Sequence, residues 1–155
     1  MSTLMDHLAD SRSGGLLSRL HAAMSKLVPE PALAVLMRLG IAAPFLLSGR
    51  TKVEGVLTVT DTTFYLFAEE YRVPLLPSEL AAYAATYAEH LFPVLIIIGL
   101  GTRVSAVALL VMTLVIQLFV VPTGWPTHLL WLAPLVYLIG RGPGPFSLDR
   151  LLKID

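Results

Sequence analysis

The chain has 155 residues, 55% of them hydrophobic and only 14% charged, with eleven basic residues balancing eleven acidic ones. That is one domain, with too little polar side chain to cover a soluble surface of its size. The zero net charge, with no basic stripe, excludes a nucleic-acid partner. The absence of cysteine excludes disulfides, thiolate metal sites and dithiol redox chemistry.

Residues 1–30 read as an amphipathic arm. Leu16, Leu17, Leu20, Met24 and Leu27 recur at helical spacing, with Arg12, Arg19 and Lys26 among them, which suits a helix lying in the membrane interface. Charges interrupt each apolar stretch of the arm, so a cleavable signal peptide is not expected. Four apolar segments follow within residues 31–155, over about 31–47, 80–100, 104–121 and 125–140. A span needs roughly 17–25 apolar residues. The second and third segments reach that length plainly, whereas the first and fourth rely on interfacial anchors such as Trp125 and Trp131.

The expected fold is therefore all-α, an integral-membrane four-helix bundle. Its alternative is a soluble domain of four buried helices. Between the first two segments, residues from about Asp61 to Tyr71 read as an amphipathic or re-entrant stretch ahead of Val73-Pro74. The other two connections are short and rich in glycine and proline. Seven Lys and Arg residues fall on the side of both termini and three on the other, which places both termini in the cytoplasm.

Ionisable residues inside a span are costly and need a reason. Arg38, Glu89 and His90 are three such residues, and Arg38 with Glu89 is expected to form a polar core pair. Such a pair also has a purely structural reading, as a device that fixes helix register. Pro44, Pro93 and Pro134 remove the amides that would bond the carbonyls of Gly40, Glu89 and Leu130, which points to a polar interior. His90 shares a helical face with Tyr83 and Tyr87, and Gln117 shares one with Thr113. His128 and Trp131 lie near the start of the fourth segment. Tyr87, His90, Gln117, His128 and Trp131 are thus the candidate quinone-binding set, because amide, imidazole and indole offer hydrogen bonds and flat faces to a quinone ring. Haem ligation by His90 and His128 is the less favoured cofactor reading. No metal-ligand spacing, nucleophile elbow or phosphate loop is present.

Arg38-Leu39-Gly40, Phe45, Gly49 and Lys52, then Glu89, Gly99-Leu100-Gly101-Thr102-Arg103, and finally Gly142-Pro143-Gly144 with Ser147-Leu148-Asp149, together resemble the DoxX family over about Ala32 to Leu151. The resemblance implies a bacterial inner-membrane four-helix bundle linked with oxidoreductase assemblies. Among these are thiosulfate–quinone oxidoreduction and complexes with sulfurtransferase or superoxide-detoxifying subunits, beside stress and metal-handling functions. It carries over Arg38, Lys52, Glu89 and Arg103 as family-like polar positions without settling their roles. Quinone-linked thiol oxidases look similar, but that chemistry needs cysteine.

The leading expectation is a membrane subunit supporting quinone-linked electron transfer or redox and metal-stress defence. It works within a complex and does not necessarily catalyse by itself. The alternatives are a non-enzymatic scaffold for soluble partners and, more weakly, a small-solute or metal-ion transporter. The expected surroundings are the lipid bilayer, partner subunits and a homo-oligomer as one option.

Overall fold

The computed structural model describes residues 15–24 and 26–154. They fall into two units, divided between Leu33 and Ala34. In the first unit, residues 15–24 are helical. Leu16, Leu20 and Met24 are exposed there, spaced four apart and so on one face. The earlier part of the arm, including Arg12, lies outside the described residues. The Pro29 carbonyl accepts the amides of Ala32 and Leu33 at 3.0 and 3.1 Å, which starts the next helix.

That helix, α1, spans Glu30–Arg50, most of it in the second unit. A hairpin follows, with β1 (Val53–Glu54) antiparallel to β2 (Thr58–Val59) and Val53 opposite Val59. It departs from the all-helical expectation. Its turn is held by the Arg50 guanidinium, which donates to the carbonyls of Gly55 and Val56 at 3.2 and 2.9 Å. Helix α2 (Asp61–Tyr65) is N-capped by the Thr60 hydroxyl and runs on as a wider π-helical turn over Leu66–Tyr71. Next come α3 (Ser78–Ile98) and α4 (Thr102–Val115), the latter also extended by a π-helical turn, Ile116–Val120. Helix α5 (Trp125–Arg141) and the short α6 (Leu148–Leu152) complete the chain.

The described chain is mostly helical, and three of its helices are long and apolar enough to cross a membrane: Glu30–Arg50, Ser78–Ile98 and Thr102–Val120. Helix α5 is shorter, at 17 residues. Ile41 and Phe45 of α1, Ile96 of α3, Ala106 and Leu109 of α4, and Leu135 and Leu138 of α5 form one buried cluster. The outward positions are also apolar: Leu36, Leu47, Leu91, Val104, Leu118 and Leu130 are all exposed. The interior meanwhile holds Thr86, Ser105 and Thr113. Apolar residues outside and hydroxyls inside suit a solvent that is itself apolar.

The ends of these helices are closed from a distance. Helix α3 stops at Gly99, whose φ of +71° is a left-handed conformation suited to glycine. Arg38 then donates to the carbonyls of Ile96 (2.8 Å), Ile97, Pro143 (3.4 Å) and Phe146. It satisfies acceptors that a helix C-terminus leaves open. At the same connection, the buried Asp149 carboxylate accepts the amides of Gly101 and Thr102 at 2.6 and 2.9 Å. That is a charge-assisted cap on the N-terminus of α4. Arg103 does for α5 what Arg38 does for α3, donating to Ile139 and to Gly140 at 3.2 Å.

Candidate functional site

The site grows from the end of α1. Lys52 lies just beyond the helix, where its carbonyl accepts the Thr60 amide at 3.1 Å and the Thr63 hydroxyl at 3.0 Å. With the backbone held there, the side chain turns inward. Its ammonium lies 2.7 Å from Oε2 of Glu89 on α3, and both residues are buried. The same nitrogen donates to the Ser48 hydroxyl at 2.8 Å and the Ser48 carbonyl at 3.3 Å. The Ser48 hydroxyl in turn donates to Glu89 Oε1 at 3.4 Å. The charge is thus neutralised and hydrogen-bonded at once, which retention in an apolar interior requires.

This pair forms part of the wall of a cavity of about 490 Å³. Most of the remaining wall is apolar: Ala85 and Ala88 of α3, Met112 of α4, Ile116 and Val120 of its π turn, and Phe67 of the other π turn. Small residues on α3 create the space, and the two widened turns flank it. Tyr71 also borders it. Burial pushes its phenol above the ordinary tyrosine range, helped by the negative charges of Glu70 and Glu89.

The cavity's other buried polar side chain is His128 of α5. Gln117 donates its amide to the Pro122 carbonyl at 2.6 Å, and its oxygen lies 2.6 Å from His128 Nδ1. The ring packs against Trp131, centroids 5.1 Å apart, and Trp131 against Phe45 at 5.2 Å. Gly124 makes room for the imidazole, since a Cβ there would come within 2.5 Å of its Cε1.

The structure brings Gln117, His128 and Trp131 together. Tyr87 and His90 are not part of that group. Tyr87 is exposed and stacked on Tyr83, centroids 6.0 Å apart. His90 turns its Nδ1 to the Thr86 carbonyl at 2.7 Å and packs against Gly49, away from the cavity wall. The expected Arg38–Glu89 pair also gives way. Both residues are buried, but the guanidinium is used by carbonyls at the end of α3 and the carboxylate by Lys52. A lysine near the helix end reaches Glu89, while Arg38 meets orphan acceptors closer to hand. Sequence reasoning missed Ser48, Tyr71 and the capping role of Asp149. The i, i+4 spacing of Ser48 and Lys52 was the available signal for the first. Among the described residues, no three His, Asp or Glu side chains gather as a metal ion would need.

No solved structure gives a significant match. A protein of Haemophilus influenzae, described as an uncharacterized protein, is 29% identical over 129 residues, covering 77% of this chain and 82% of that one. The DoxX family model matches residues 33–122, from α1 through the end of α4 and so over the ion pair and most of the cavity wall. With that match across more than half of its length, and with helices of membrane-crossing length and composition, the chain belongs to the DoxX family of membrane proteins.

Proposed function

We propose that this protein is a membrane subunit of a redox or stress-defence assembly and that its cavity holds the head group of a lipophilic quinone or quinol. The observation that carries the reading is the cavity itself. Its size lies within the range of small-molecule sites, about 300–1,000 Å³. Its wall is apolar except at a few converging groups, chiefly Lys52–Glu89 and His128. Trp131 and Phe67 offer flat faces to a ring. In this reading residues 31–155 form a four-helix bundle in the bacterial inner membrane. Helix α5 is the fourth span and both termini are cytoplasmic.

The chain has no cysteine for dithiol chemistry, and in this reading electrons pass between the bound molecule and a partner subunit. Its own residues bind and orient. The test is an organic extract of protein purified in mild detergent, analysed by mass spectrometry. Near-stoichiometric quinone or quinol is expected in the wild type, with loss on filling the cavity by Ala88→Phe. A clean wild-type preparation that also fails to bind added short-chain quinone or quinol would move the function to a non-enzymatic scaffold.

A further inference from the structure

The polar groups of the cavity have a direction. Lys52 has three N–H donors, and all three are used, by Ser48 O, Ser48 Oγ and Glu89 Oε2. Glu89 receives two hydrogen bonds, and a carboxylate can accept about four. Its spare capacity is acceptor capacity.

His128 has the same character. Pro122 has only a carbonyl to offer, so Gln117 must turn its NH₂ toward it and its oxygen toward the imidazole. An amide oxygen only accepts, so His128 Nδ1 carries the proton. In the neutral ring Nε2 is then a bare acceptor, with no hydrogen-bond partner among the described residues. The buried polar residues on this wall are Lys52, Glu89 and His128. Between them they have free lone pairs and no free donor. Tyr71 and Trp131, which can donate, are only half-buried.

We infer that the cavity selects a hydroxyl-bearing amphiphile, a phenol or quinol in preference to its methyl ether or quinone. His128 Nε2 and Glu89 are the acceptors, and Gln117 is the positioning residue that decides which nitrogen of His128 is bare. The inference rests on the proposed small-molecule site and adds the redox state that it prefers. A quinone presents lone pairs to lone pairs, whereas a quinol presents hydroxyl donors. A site built for a hydroxyl discriminates strongly against the analogue lacking one, because its own buried polar atom goes unmet.

The test uses the full chain in detergent micelles, with 4-octylphenol and 4-octylanisole as probes and Ala88→Phe as the baseline for micelle partition. The phenol is expected to bind at least about tenfold tighter, as one such hydrogen bond implies. Gln117→Leu is expected to bring the two affinities to within about threefold. Nitrogen-15 spectra of histidine-labelled wild type, assigned with His128→Gln, should show His128 Nε2 unprotonated. That reading does not depend on the Gln117 variant folding. Equal affinities in the wild type, or a protonated Nε2 in the neutral ring, would overturn the inference and leave the site standing. Binding of neither probe above baseline would overturn both.

Discussion

Lys52 Nζ, just beyond α1, and Glu89 Oε2 on α3 meet at 2.7 Å, and both residues are buried. The pair fastens the end of α1 to the middle of α3 and marks a polar point in an otherwise apolar wall. Removing one partner leaves the other charged and unmet. Lys52→Met or Glu89→Leu should each cost about 3–5 kcal/mol. The double variant should recover most of that loss, since an apolar pair of similar volume carries no desolvation penalty. Thermal unfolding of the four proteins in one detergent gives the coupling directly, and purely additive losses would contradict the pairing.

Arg38 serves four carbonyls, two at the end of α3 and two in the segment leading to α6. Hydrogen bonds to a charged group contribute about 1.5–3 kcal/mol each, so Arg38→Met should cost at least about 3 kcal/mol. The loss should have a location. The amides of Gly101 and Thr102, capped by Asp149 on that C-terminal segment, should exchange with deuterium faster. Amides in the middle of α4 should change less. Arg38→Lys should rescue little, because an ammonium gathers three donors at one point, whereas the planar guanidinium spreads five across the carbonyls it serves.

Gly124 lies against the His128 ring, and a Cβ there would come within 2.5 Å of Cε1. Gly124→Ala must therefore displace the imidazole or the start of α5, at about 1–3 kcal/mol as other overpacking changes cost. Binding of a phenolic probe should fall further than stability does, since the displaced ring loses its hold on Gln117. Parallel titration and melting of the variant separate the two effects.

Tyr71 gives a pH dependence with a definite sign. Burial, then Glu70 and Glu89, raise its phenol above the ordinary value. The folded state therefore holds the proton more tightly than the unfolded one. The stability this contributes is fully present below about pH 10 and is lost as pH rises through the raised value. Tyr71→Phe should flatten that alkaline limb without changing stability near neutrality. An unchanged limb would assign it to another group.

The apolar segments of the long helices were plain in the sequence, because length and hydropathy are local properties. Asp61 and Tyr71 were legible as the limits of one amphipathic stretch for the same reason. The two π turns within such stretches were not. They change the hydrogen-bond register without changing composition. Pairing was hardest to read. Arg38 and Glu89 are both buried, as their rarity in spans demanded, yet each found its partners in a tertiary arrangement. That arrangement depends on the hairpin after Lys52 and on α6, and neither carries a strong signal of its own. The Gln117–His128 set was readable as a list of residue types, whereas Tyr87 belonged to an exposed aromatic stack that the same spacing permits.

The two π-helical turns have a consequence for how this cavity can change. A π turn closes its hydrogen bonds one residue further along than an α-helix does, and here each such turn ends its helix. Deleting one residue would let a turn tighten while leaving its flanks facing much as they do, whereas tightening it at full length would rotate its far end about the helix axis. Tyr71 and Val120, the last residues of the two turns, would then face away from the wall, though each would remain in the sequence. The shape of the chamber is thus recorded in how these two turns are wound as much as in their chemistry. A chain that carried the same side chains on plain α turns would lose the room between them.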